Sequence, residues 1–451
     1  MIGVPAFRRD YGYVFEDQYV IPASWQTAFN VISSPGQFFG GFLCSWAADR
    51  FGRKNALLLG VLFCTGGIIG EIVASTRVAF LCSKLVLGFG LGFYLTLGPM
   101  MTSEITPVVF RGIATAGVNL GIALGQLLSN SVIAGFGNRE DRWSYCGPFA
   151  VQLMFVAFLL AGYPFAPESP IYLVRKGRSN DALQALKKLY GPDVDLQAKL
   201  TLIENTIAEE GGKKGTILDC FRGTDRIRTI ISMGVFVCQH AVGIIFVLGF
   251  SSYFFQLAGL DTSKSFDLGV GVTACGVAGN FASWFVINNV GRRKIFVSGM
   301  AALTAMLMFI GIMDVVPTSG AKWVQAATTV IWAFVYFFTI GAMAFAILGE
   351  ASSSALRAPT MALATATQAV MGTAMNFAIP YMVNPDEGNL KGKVGFVFGG
   401  LGLIGTIWSF FFVPELKGRT FREIDIMFFD RIPPRKMGSY HIPVSALAEN
   451  N

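Results

Sequence analysis

Charge is scarce in this sequence. Only 14% of its residues are Asp, Glu, Lys or Arg, against roughly a quarter in soluble domains, and only two are histidine. Too little charge is available to coat a soluble surface. The seven cysteines are scattered, mostly within apolar runs, and none has the spacing of a metal site or a disulfide framework. They read as small apolar packers. No nucleophile–base spacing and no metal cluster appears, which argues against an enzyme and against a bound metal or cofactor. The opening MIGVPAFRRDYGY has no apolar h-region, so no cleavable signal peptide is expected.

What the chain does have is apolar length. Hydrophobic residues make up 53% of it, and mean hydropathy is +0.55. Runs of about 20 residues, each long enough to cross a hydrocarbon core, recur along the chain. Backbone groups inside lipid must satisfy one another, so these runs are predicted to be helices. They fall near Trp25–Ala47, Ala56–Ser75, Val78–Met101, Ile113–Phe136, Pro148–Ala166, Thr229–Gln256, Leu268–Asn288, Ile295–Val316, Trp323–Gly349, Thr360–Val383 and Val394–Val413. The 52 glycines, in runs such as Gly88, Gly90, Gly92 and Gly117, Gly121, Gly125, fit close helix packing in a membrane.

Basic residues orient the chain. Alternate loops hold 25 of the 35 Lys and Arg on one side and nine on the other. The richer side is cytoplasmic by the positive-inside rule. The net charge of +7 thus reflects topology, and no nucleic-acid partner is expected.

The chain also repeats itself. Asp49 to Lys54, DRFGRK, recurs as Asn289 to Lys294. EITPVVFRG from Glu104 recurs as EASSSALRA from Glu350, each with an Arg seven residues on, and PESP from Pro167 recurs as PELKGRT from Pro414. Three matches in one order, offset by about 240 residues, indicate duplication of a membrane unit. Such repeats mark transporters whose site lies where the units meet. The expected division is residues 1–166 as one helical bundle, 167–228 as a polar cytoplasmic linker, 229–413 as the second bundle and 414–451 as a cytoplasmic tail.

DRFGRK, EITPVVFRG, PESPIYLVRKGR, NNVGRRK and PELKGRTFREID, in this order from about Pro5 to Asp430, resemble the sugar porters of the major facilitator superfamily. Within that family IPASWQTAFN, PESP and SSYFFQLAGL look most like fungal maltose and general α-glucoside permeases. The resemblance implies an all-α membrane protein of two six-helix repeats, with about eleven helices in this sequence. It implies a monomeric carrier in the lipid bilayer, in the plasma membrane, that moves a small sugar by alternating access, with protons as the driving partner in symporting members. It also implies a latch at the cytoplasmic helix ends, made of Asp49, Arg50, Gly52, Arg53, Glu104, Arg111, Gly291, Arg292, Arg293, Glu350 and Arg357. Glu104 would pair with Arg53 or Arg111, and Glu350 with Arg293 or Arg357. Nearby helix C-termini, partly negative, would also attract the cations.

Sugars present hydroxyls, and polar groups within spans are costly enough to be functional suspects. By resemblance the substrate-binding set is Asn119 and Gln126, Gln239 and His240, Tyr336 and Phe345, and Gln368. Asn119 stands where the family has Gln, His240 replaces a second Gln, and Ile245 replaces an Asn. His240 could titrate near neutral pH or act as a neutral stand-in for the amide.

Glu71 and Lys84 are the coupling candidates, Lys84 occupying the place of a family Arg linked to proton coupling. Gln37 is neutral where related permeases tend to carry a carboxylate. Shifting Thr229 back by the repeat offset lands before Met1, so the first helix of the first repeat, which carries the coupling Asp in proton-driven members, is expected to be missing from this sequence, through a misassigned start or, as the alternative, a truncation. Transport without proton symport is the expectation for the chain as written. A non-transporting sensor or degenerate paralogue competes with transport, as does another cargo, for which His240, Ile245 and Phe250 suit a less hydroxylated solute.

Overall fold

The computed structural model describes residues 4–15, 18–136, 139, 141–190, 194–209, 216–249, 262–316, 318–353, 355–383 and 388–440. The SSYFFQLAGL segment, with Phe250, lies outside them. Almost all regular structure is helical; the exception among the described residues is a short hairpin, Tyr13–Phe15 with Gln18–Val20, paired Tyr13 to Val20.

Among the described residues, eight helices are long and apolar enough to cross a membrane, among them Arg53–Val73, Arg77–Ile105, Arg292–Val315 and Lys391–Phe412. They coincide with eight of the eleven expected spans. The other three differ for identifiable reasons. Trp25–Ala47 is not one helix: the chain forms Ala23–Val31 and then Ser33–Phe51. Pro35 causes the break, since its ring clashes with the carbonyl four residues back and it has no N–H to donate. The run from Thr229 forms the helix Asp225–Ala241 and turns at Gly243, whose φ is +78°. The Arg357–Val383 helix is 27 residues long, but its Thr360, Thr365, Gln368 and Asn376 dilute its apolar character.

The chain forms two compact units, Met1–Met101 with Gly125–Asn205 and Thr365–Phe377, and Thr102–Leu124 with Thr206–Ala364 and Ala378–Asn451. In the first, the Ser33–Phe51 helix meets Arg77–Ile105 backbone to backbone. A Cβ on Gly36 would stand 2.8 Å from the Gly88 Cα, and one on Gly92 2.8 Å from the Gly41 nitrogen. These glycines are therefore packing contacts, as small residues in membrane helices usually are. Gly121 and Gly125 differ: nothing lies within 4 Å of a Cβ built there. An aromatic cluster of Phe7, Tyr11, Phe29, Phe80, Tyr145 and Phe149 ties the first helix, Pro5–Tyr11, to this unit. A cavity of about 460 Å³ in the same unit is lined mainly by apolar side chains such as Ile68, Leu87, Val132 and Phe155, with Tyr94, Ser129 and Gln152 among its few polar groups.

In the second unit, Arg292–Val315 packs along Val394–Phe412, and Thr262–Val290 along Ser319–Tyr336. Between Ser319–Tyr336 and Ala342–Ala351 the helix widens into a π turn, Phe337–Gly341. Such turns occur mostly as interruptions of α-helices, frequently at functional sites.

Candidate functional site

Two glycines set the geometry of the Arg-rich turns. Gly52 has φ +96° and ψ +164°, and Gly291 φ +100° and ψ +156°, a region open essentially to glycine alone. Each glycine ends one helix and starts the next. The arginine that follows turns inward: Arg53 is 3% exposed and Arg292 2%. Each donates Nη1 to the carbonyl five residues before it, Arg53 to Ala48 at 3.1 Å and Arg292 to Ile287 at 3.5 Å. The guanidinium thereby caps the preceding helix at its negative end.

This aligns Arg53 with Arg292 and corrects the repeat register by one residue. The glycines are the equivalent points, so Arg293 corresponds to Lys54. Glu350 accordingly pairs with Arg292, through contacts of 2.9 and 3.2 Å, rather than with Arg293. Both partners are buried, 3% and 4% exposed at the side chain. Arg293 instead donates to the carbonyls of Val413 and Phe410. Glu104 meets Arg357 at 3.4 Å, both side chains fully buried. Neither residue was expected to pair with the other. Asp49 accepts from Arg53 at 3.5 Å, and the Arg50 carbonyl accepts from Tyr172 at 3.1 Å.

Two further carboxylates, not assigned a role from the sequence, complete the turns. Glu168 of PESP accepts the backbone N–H groups of Arg53 at 3.0 Å and Lys54 at 3.1 Å. Glu415 of PELK does the same for Arg292 at 2.9 Å and Arg293 at 3.2 Å. Each caps the start of a helix, where N–H groups lack partners and the dipole favours an anion. Burial pushes the Glu168 carboxyl above the usual carboxylate range, against the pull of the Ser169, Lys54 and Arg53 N–H groups and the Arg53 charge. The signal was present in the sequence as the repeated Pro-Glu. Its partner, 115 residues away for Glu168, was not.

Arg111 and Arg357 share one aromatic ring. Each guanidinium carbon stands 3.9 Å from the centroid of Phe421, a cation–π arrangement. Phe421 opens the tail helix Phe421–Phe429, whose start is fixed by a capping box between Thr420 and Glu423. Its Asp425 pairs with Arg228. The tail is thus part of the same charged assembly.

Four of the expected sugar-binding residues are amides, and each has a buried side-chain atom without a hydrogen-bond partner among the described residues. In the second unit Asn119 is 4% exposed and Gln239 2%, and neither the Asn119 Nδ2 nor the Gln239 Nε2 has a partner among the described residues. Asn119 lies against the π turn: a Cβ on Gly341 would be 2.7 Å from its Nδ2. His240 is held by its Nδ1, 2.9 Å from the Phe236 carbonyl. A carbonyl only accepts, so in the neutral ring Nδ1 carries the hydrogen and Nε2 is an acceptor. Tyr336 stacks on Trp332 at 5.3 Å and meets Phe337 edge-on at 5.2 Å. Phe345 meets Phe236 edge-on at 5.4 Å. Both rings are therefore engaged with other rings. In the first unit, the Oε1 atoms of Gln126 and Gln368 are buried without a partner among the described residues.

Glu71 is 1% exposed, and its Oε2 has no hydrogen-bond partner among the described residues. Lys84 acts on it electrostatically while its Nζ sits 5.7 Å from the Phe80 ring centroid.

Repeated membrane helices joined by glycine-hinged charged turns describe a multi-pass membrane protein, and its family match makes it a carrier. The chain belongs to the sugar (and other) transporter family, whose model matches residues 3–428. The general α-glucoside permease of Saccharomyces cerevisiae is 30% identical over 97% of this chain and 73% of its own length. The maltose permease MAL31 of the same yeast is 30% identical over 99% of this chain and 74% of its own. The fold is that of the major facilitator superfamily: the proton:xylose symporter XylE, solved with 6-bromo-6-deoxy-D-glucose, superposes with a TM-score of 0.79 at 21% identity, covering 89% of each chain.

Proposed function

We propose that this chain carries α-glucosides, maltose among them, across the plasma membrane as a monomer working by alternating access. In this reading residues 1–166 and 229–413 are the two halves that rock, 167–228 joins them and 414–451 is the cytoplasmic tail. The observation that carries the proposal is the pair of buried amide nitrogens left unpaired within the second unit among the described residues, Asn119 Nδ2 and Gln239 Nε2. Burying a polar group without a hydrogen bond is unfavourable, and a sugar offers both donors and acceptors. The names of the yeast permeases support α-glucosides as the class.

Gln239→Ala is expected to weaken maltose binding by about 1–3 kcal/mol, the scale of a hydrogen bond lost from a buried partner. Equilibrium titration of the purified protein reads this directly. Unchanged affinity would remove Gln239 from the binding set.

The driving force turns on Glu71. Gln37 is neutral and the charge of Lys84 acts on the buried Glu71, so uncoupled transport is the proposed mode. Adding maltose to a weakly buffered suspension of expressing cells is expected to leave external pH unchanged. Alkalinisation that Glu71→Gln abolishes would instead make Glu71 the proton carrier.

A further inference from the structure

We propose that Asn280 is a further sugar-coordinating residue, at a position to which neither the resemblance nor the sequence pattern assigned a role. The inference rests on the α-glucoside reading above and deepens it.

Asn280 is 0% exposed, and neither its Oδ1 nor its Nδ2 has a partner among the described residues. An asparagine amide has two donors and two acceptor lone pairs, and leaving all of them empty in a buried site is costly. Other span residues show how easily the cost is avoided. Asn376 donates to the Gly372 carbonyl at 2.9 Å and Asn289 to Phe285 at 3.0 Å, each one turn back on its own helix. Gln325 reaches the Ile310 carbonyl at 3.1 Å. The Gly276 carbonyl stands in the same relation to Asn280, yet the amide does not use it.

Packing shows what it faces. On one side of Asn280, a turn toward the Arg-rich end, Trp284 lies 3.8 Å from a Cβ built on Gly117. On the other side, a turn back, Phe337 of the π turn lies 2.6 Å from a Cβ built on Gly276. Asn280 therefore sits in the layer bounded by the Val108–Phe136 helix and the π turn. Asn119 is two residues beyond Gly117, about 3 Å along its helix, and its Nδ2 rests on Gly341 of that turn. The Trp284 Nε1 is also buried without a partner among the described residues. Asn280, Asn119 and Trp284 thus bring three unpartnered donor nitrogens and one unpartnered acceptor oxygen into one layer of the second unit. Neighbouring sugar hydroxyls, each able to donate and accept at once, match that mixture. A purely apolar solute does not.

Purified wild-type protein and Asn280→Ala should be titrated with maltose by intrinsic fluorescence, and melted with and without the sugar. The expected result is a maltose Kd raised roughly tenfold, together with a sugar-free melting temperature equal to or above wild type, because an unsatisfied group has been removed. A structural role gives the opposite pattern, a lower sugar-free melting temperature with unchanged Kd, and overturns the inference. Asn280→Ser gives the same two readouts if the alanine variant does not fold. Wild-type binding that Asn280→Ala leaves intact overturns the role of Asn280 alone. Absence of maltose or other α-glucoside binding to the wild type overturns the substrate reading, and this inference with it.

Discussion

Glu350→Ala is expected to lower the stability of the protein by about 3–5 kcal/mol, because it strands the buried Arg292 guanidinium without its carboxylate. The pair is enclosed, 3% and 4% exposed, so solvent cannot step in for the missing partner. Melting of the purified protein in detergent measures the loss. The double variant Glu350→Leu/Arg292→Met separates stability from function. Replacing a buried ion pair by apolar groups of similar volume is often neutral or stabilising, so its melting temperature should recover. Transport should not recover, because an apolar contact lacks the charges whose breaking and reforming bias a two-state equilibrium. Sugar affinity should remain close to wild type in both variants. A double variant that transports normally would show that Arg292 and Glu350 contribute packing only.

Gly291→Val is expected to be as damaging, through the backbone. At φ +100° and ψ +156° a side-chain-bearing residue costs on the order of 1–3 kcal/mol. A Cβ at Gly291 would also lie 2.8 Å from the Glu415 carboxyl carbon, driving away the group that caps the Arg292–Val315 helix. Losing such a cap costs about 1 kcal/mol more. Gly52→Val should behave alike, since its Cβ would lie 3.0 Å from the Glu168 carboxyl carbon. Wild-type melting temperature and uptake in both variants would show that these turns tolerate another backbone conformation.

The sequence made the membrane helices readable because hydropathy is a sum over 20 residues and one residue cannot reverse it. Single residues decided where the reading failed. Pro35 split the first expected span. Gly291, through its positive φ, moved the second latch by one position and gave Glu350 to Arg292. The amides proposed to bind sugar were suggested by resemblance, and the burial of their unpartnered atoms could be known only after the helices were packed. Asn280 was passed over for the same reason: in a linear sequence an asparagine that bonds its own helix, such as Asn376, looks no different from one that does not. Nothing in FFTIG marks a π turn, and the role of Phe421 depends on Arg111 and Arg357, which are distant in sequence and meet only at its ring.

Uptake of radiolabelled maltose in a host lacking sugar transporters, expressing this chain, is the most direct test of α-glucoside transport. The expected result is saturable uptake that other α-glucosides compete and that Gln239→Ala reduces. Well-expressed, membrane-inserted protein that takes up no maltose or other α-glucoside above an empty-vector control would contradict the account.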